Sequence, residues 1–291
     1  MDMRFHHRTR KHPKQRSETL NSTSCSLWWT LYAKGMPESV TSLNASSPLG
    51  STDERPLEPP ASSAMATRLK PLLPQIVFVG GCSTGLLITD PAASPVRATD
   101  DVDVIVEVAS YAAYTRFSGR LRKLGFPEES SENAPICRWV IDHMKLDVMP
   151  TDEKILGLSN RWYKPAIDAA AIVELDGLEL RVVSPPYFIG TKLEAFRGRG
   201  KGDFYASADL EDIITVLEGR RTLVEEVADS PMGLRRYISR EIGRLLDNQE
   251  FVNALPGHVA GDEISQARVP MILRTLNSLR GLRRKRSTSR R

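Results

Sequence analysis

Asp100, Asp101 and Asp103 fall within four positions, at the head of an apolar run, Val102–Val108, that only Asp103 and Glu107 interrupt. Acidic residues are poor strand formers, and like charges this close repel one another. On a strand, residues two apart share a face, so Asp101 and Asp103 point together while Val102 and Val104 point the other way. A chain carrying such a strand has to bury the valine face in a sheet and set positive charge against the acid face. Asp100 falls on the opposite pleat and reads as a loop or cap residue.

The rest of the sequence supplies partners for that strand. "QIVFVGG" (75–81) reads as a buried strand ending in glycines, and "STGLLITD" (83–90) as a short helix with Ser83 placed to cap it. Residues 110–124 have helical spacing, with Ser110 as cap and Gly125 as stop. Residues 137–150 form a hairpin, Arg138–Ile141 into Lys145–Met149. Residues 171–184 form a second, turning at Asp176-Gly177. "PPYFIGTKLEAFRGR" (185–199) starts a helix with prolines, and 207–219 is another helix, capped by Ser207. From Arg221 to about Ala254, and from Glu263 to Leu282, the pattern stays helical. The order predicts an α+β (α/β) domain with a mixed sheet and flanking helices, followed by a helical C-terminal segment.

The ends differ from this body. Residues 1 to about 65 lack periodicity and are rich in Ser, Thr, Pro and charge, which predicts disorder up to residue 67; the apolar island "CSLWWTLY" (25–32) is the exception. A second reading is that the natural start lies at Met65. The core is expected over 68–184, the helical region over 185–282 and a basic tail over 283–291. The net charge of +4 comes from the ends: 1–16 hold six Lys/Arg against one acid, 280–291 hold seven and no acid, and the body is about −8. Three cysteines, Cys25, Cys82 and Cys137, have no paired or metal-ligand spacing, which fits a reducing, cytoplasmic setting with Cys82 and Cys137 buried and inert. No apolar run reaches membrane-spanning length, and no membrane partner is expected.

Two carboxylates on one face are stable with a cation between them, and a hard divalent ion, Mg²⁺ or Mn²⁺, takes oxygen ligands. Asp147 in "KLDVMP" adds a third carboxylate from a later strand, and three acids on adjacent strands can hold two metals for phosphoryl transfer. Gly80 and Gly81, followed by Ser83 and Thr84 at a helix start, form a phosphate cradle of backbone N–H groups and hydroxyls.

The G-G … D-x-D … D order resembles the nucleotidyltransferase fold of the DNA polymerase β superfamily. The stretch "TKLEAFRGRGKGDFYASADLEDII" (191–214) is similar to the AbiEii family, toxins of abortive-infection and type IV toxin–antitoxin systems, and its chromosomal relatives. The resemblance covers about 75–254. It implies that Gly80, Gly81, Ser83 and Thr84 lie by the triphosphate, and that Asp101, Asp103 and Asp147 are the metal carboxylates. It implies that Lys192 reaches the phosphates with Lys201 as a second cation, and that Asp209 and Asp212 form the final D-x-x-D motif. Two departures stand out: a Pro-rich insert at 91–95 lengthens the gap from Gly81 to Asp101, and Cys82 occupies a place where a small residue is usual.

From the residues alone, Lys192 reads as a snorkelling surface cation or a ligand. Asp209 reads as a first-turn helix acid or a site residue. Asn160-Arg161-Trp162-Tyr163 reads as a core-edge aromatic pair before a stacking surface. Arg138 and Lys145 flank the acids as candidate nucleotide or acceptor contacts, and His143 falls at an exposed turn. The expected activity is Mg²⁺-dependent transfer of NMP from an NTP to an acceptor hydroxyl, on a tRNA 3′ end or a protein side chain, with a cognate antitoxin as partner. Its rivals are a catalytically silent nucleotide- or antitoxin-binding module and a nucleic-acid-binding protein acting through basic tails.

Overall fold

A computed structural model describes residues 61–157, 160–199 and 202–282. The segment 1–60 with its apolar island, Lys201 and the basic tail 283–291 lie outside the described residues.

Six strands make one mixed sheet in the order β3-β4-β2-β1-β6-β5. They are β1 (Ile76–Val79), β2 (Asp101–Val106), β3 (Arg138–Ile141), β4 (Met144–Pro150), β5 (Ala171–Leu175) and β6 (Leu178–Val182). The acid-headed strand β2 lies inside the sheet, antiparallel to β1 and parallel to β4. Its valines and Ile105 are buried, while Asp101 and Asp103 are half-buried, so alternation gives way to burial on both faces farther along. Both hairpins form where the sequence places them. Asp176 and Gly177 take φ of 50° and 74°, the left-handed pair of a type I′ turn, which matches the twist of the flanking strands.

The α-helices are α1 (Ala61–Arg68), α2 (Thr84–Leu87), α3 (Tyr111–Lys123), α4 (Glu153–Leu156), α5 (Tyr163–Asp168), α6 (Pro185–Arg199), α7 (Ala208–Gly219), α8 (Leu223–Asp229), α9 (Met232–Leu246), α10 (Gln249–Ala254), α11 (Glu263–Gln266) and α12 (Val269–Gly281). The sheet with flanking helices, then helices alone, is the expected α+β arrangement. Ser110 caps α3 by accepting from the Ala113 N–H at 3.2 Å, and Ser207 caps α7 through Leu210 at 3.3 Å. Among the described residues no helix is long and apolar enough to cross a membrane.

Two local expectations are corrected. Ser83 does not cap α2: it has helical φ/ψ and no capping bond, because Gly81–Ser83 already form a 3₁₀ turn leading into that helix. Helix α1 lies in a stretch expected to be without structure. "ASSAMATR" lacks apolar period, so tertiary contact orders it: Met65 and Ala66 are fully buried, and Ser63 Oγ donates to the Asp176 carboxylate at the β5–β6 turn.

The Pro-rich insert is anchored. Backbone N–H groups of Thr89 and Asp90 donate to the Gly219 carbonyl at 2.9 Å each, and Ser94 Oγ donates to Glu218 at 2.8 Å. Arg268 reaches the same Glu218 at 3.3 Å, and Arg221 pairs with Asp90 at 2.9 Å. The insert therefore ties the strand domain to the C-terminal end of α7 and to the residue preceding α12.

Candidate functional site

The β1–β2–β4–β3 register sets Val79, Asp103, Asp147 and Arg138 side by side across four strands. Arg138 donates to Asp147 through Nε and Nη2, each at 2.7 Å. This bidentate pair keeps the guanidinium protonated well above its ordinary range, against a smaller cost of burial. Asp101, one pleat step before Asp103, is looser, 3.7 Å from Lys145 Nζ and 3.9 Å from Arg138 Nη2. Asp100 is exposed, and its carbonyl accepts from the Lys145 N–H at 3.1 Å, as a loop residue would.

Gly80 is fixed by two independent demands. Its φ of 69° and ψ of −164° lie in a region essentially reserved for glycine. A Cβ placed on it would overlap the Asp103 carboxylate. Gly80→Ala is therefore expected to destabilise the protein by about 2–3 kcal/mol and to displace Asp103. Equilibrium urea unfolding measures the first effect, and an effect within experimental error would show that the loop relaxes freely. Gly81 faces the last motif: a Cβ there would stand 3.4 Å from Asp212 Oδ2 and 3.8 Å from Arg97 Nη2.

Helices α6 and α7 bring a second group of charges to the same place. Lys192 is buried, with Nζ 2.6 Å from Asp212 Oδ2 and 3.3 Å from Asp209 Oδ1. Burial alone would lower its pKa, but Asp212 and Asp209 together hold the ammonium above its ordinary value. Asp209 is also gripped by Arg199, at 3.1 Å and 3.3 Å. Asp212 has Arg97 Nη2 at 3.8 Å, and Arg97 Nε meets the adjacent Glu211 at 3.2 Å. Lys192 is thus neither a snorkelling surface residue nor a free cation. Asp209 is a first-turn acid of α7, as one of its two expected readings has it, and its carboxylate is a buried partner of Lys192 and Arg199.

Asp103 differs from the acids around it. Asp101, Asp147, Asp209 and Asp212 each have a Lys or Arg within 4 Å. Asp103 has no hydrogen bond or ion pair to its carboxylate among the described residues. Burial, with Asp147 and Asp101 nearby, pushes its pKa up to about 6 although Lys192 and Arg199 pull the other way. A half-buried carboxylate without a partner, beside a loosely held second one, suits a divalent cation on Asp101 and Asp103. The expected cluster of three carboxylates is not assembled: among the described residues no group of three or more His, Cys, Asp or Glu stands in metal-holding geometry. Arg138 already occupies both oxygens of Asp147.

Ser83 and Thr84 are fully buried behind the glycines. Thr84 Oγ1 has no hydrogen-bond partner, and Ser83 Oγ has at most the weak Cys82 thiol. Burial lifts the Cys82 and Cys137 thiols to about 12 each, which disfavours the thiolate; Cys137 is buried as expected, whereas Cys82 is only partly buried. Trp162 packs inside, 5.1 Å from the Tyr237 ring and 6.4 Å from Tyr187, which makes it a core-edge aromatic. Tyr163 donates to Met149 Sδ at 3.2 Å, and burial followed by the charge of Asp103 raises its pKa. His143 is exposed at the β3–β4 turn.

Sequence reasoning missed Arg97 and Arg199. Arg97 sits in "VRATDDVDV", four residues before Asp101, where a cation beside an acid strand was the available signal. Arg199 ends α6 in a glycine- and cation-rich stretch whose pairing depends on where α7 lies.

No family model matches the chain, and no curated protein sequence matches it. Among solved structures, an antigenic nucleotidyltransferase-like protein from Paracoccidioides brasiliensis is similar at 18% identity and a TM-score of 0.43, over 67% of this chain and 90% of that one.

Proposed function

We propose that the chain is a divalent-cation-dependent nucleotidyltransferase that moves NMP from an NTP to an acceptor hydroxyl. The observation that carries this reading is the unpaired Asp103 carboxylate, packed against Gly80 in a site where every neighbouring acid has a cation. A magnesium or manganese ion bound there would neutralise Asp101 and Asp103 and polarise phosphate oxygens. The acceptor oxygen forms a bond to the α-phosphorus, the bond to the β-phosphate oxygen breaks, and pyrophosphate leaves. Asp147, whose oxygens accept from Arg138, is poorly placed to take the acceptor proton. Asp101, with 45% of its side chain exposed, is the carboxylate open to it.

Arg97, Lys145 and Arg199 have side chains 43%, 44% and 73% exposed and are the cations open to phosphate, while Lys192 holds the carboxylates of α7 in place. Gly80 and Gly81 allow close backbone approach, and displacement of the loop toward a phosphate would give the Thr84 hydroxyl a partner. The resemblance at 191–214 extends the reading to the AbiEii class: a toxin acting on a tRNA 3′ end or a protein side chain, held in check by a cognate antitoxin.

The test is incubation of the full chain with each α-³²P-labelled NTP, Mg²⁺, total RNA and total protein. Label is expected to enter RNA or protein with wild type and not with Asp101→Ala/Asp103→Ala. Absence of transfer from every NTP to every acceptor, the chain itself included, overturns the proposal.

A further inference from the structure

We infer that the Arg138 guanidinium stands in for a second cation at this site, so that the chain loads one divalent ion, on Asp101 and Asp103, and Asp147 is not among its ligands. This rests on the reading of Asp101 and Asp103 as a cation site and adds the number of ions and the role of Asp147.

The geometry is specific. Arg138 lies directly opposite Asp147 across β3 and β4, on the strand pair at the sheet's edge, and Asp147 in turn lies opposite Asp103. Nε and Nη2 each stand 2.7 Å from one Asp147 oxygen, the parallel fork that guanidinium makes with carboxylate. The two side chains are only 17% and 13% exposed, so water competes little for either. The same guanidinium lies 3.9 Å from Asp101 and 4.0 Å from Glu129, whose Oε2 is buried and has no hydrogen bond. Three carboxylates therefore face one fixed positive charge, with Asp147 in direct contact and Asp101 and Glu129 farther out.

Arginine cannot lose its proton in a protein, so that charge is permanent. An ion placed on Asp147 would meet it at close range, with both carboxylate oxygens already committed. Asp103 has the opposite situation, with no cation of its own. The charge on this row of the sheet is balanced by one guanidinium and one exchangeable ion.

Manganese titrated into the full-length protein, with free Mn²⁺ read from its paramagnetic resonance signal, tests this. Wild type and Asp147→Asn are each expected to bind one Mn²⁺, and Asp103→Asn none. Arg138→Gln frees Asp101, Glu129 and Asp147 and is expected to gain a second site, which Arg138→Gln/Asp147→Asn loses again. Loss of the wild-type Mn²⁺ in Asp147→Asn overturns the inference, as does a wild type with two sites of which one disappears with Asp147. Should Arg138→Gln fail to fold, the near-isosteric Asp147→Asn still decides. Failure of the underlying reading looks different: Asp103→Asn would then leave Mn²⁺ binding unchanged.

Discussion

Asparagine at position 103 is expected to give a protein that is more stable than wild type in metal-free buffer and inactive. The wild-type carboxyl has a folded-state pKa of about 6 against an ordinary 3.8. The native state therefore binds a proton more tightly than the unfolded chain, and stability falls as pH rises from about 4 through about 6, then levels. A neutral isostere removes this cost. The gain is about 3 kcal/mol above pH 6 and closes only below about pH 3.8, where wild type is protonated in both states. It is read as a rise of about 6–12 °C in thermal midpoint at pH 7–8. Mg²⁺ is expected to raise the wild-type midpoint and leave the asparagine variant unmoved. Label transfer falls by about a hundredfold to a thousandfold or more, because the charge that receives the cation is gone. An asparagine variant less stable than wild type at pH 8 without metal would show that Asp103 is held by something other than its bound ion.

Lys192→Met is expected to be among the most destabilising single changes in the chain. It leaves Asp209 and Asp212, both buried, without the ammonium that lies between them. Breaking a buried pair from one side costs about 3–5 kcal/mol, which lowers the thermal midpoint by roughly 10 °C. Lys192→Met/Asp209→Asn/Asp212→Asn should recover most of that loss, since the uncompensated charge leaves with the lysine, but should not recover label transfer. A surface cation would instead cost at most about half a kcal/mol and need no rescue. The lysine's folded pKa is raised, so its contribution is complete below the unfolded value and is lost only as pH rises through the folded one. Melts across pH 6–9 should show no step from this group.

Much of the architecture was legible because its signals are local. The two hairpins, the proline-led start of α6 and the caps Ser110 and Ser207 all follow from residues within a few positions of each other. The convergence of Gly80, Asp103, Asp147, Lys192 and Asp212 was legible as a set of candidates, since acids on a core strand and a lysine in an apolar helix demand partners. Helix α1 was not legible, because "ASSAMATR" becomes a helix only through what Met65 and Ala66 are buried against. The insert at 91–95 looked like a loop, and its packing on Gly219 depends on residues well over a hundred positions away.

What the sequence determined by itself is which side chains share a face, Asp101 with Asp103 by the strand period, and that a neighbouring strand ends in Gly80 and Gly81. Which cation meets which acid was decided only by tertiary structure. Lys192 goes to Asp209 and Asp212, Arg138 closes on Asp147, and Asp103 is left open. The physical reason is that Coulomb attraction in a partly buried site depends on separations of a few ångströms between elements far apart in the chain, and residue order alone does not specify those separations.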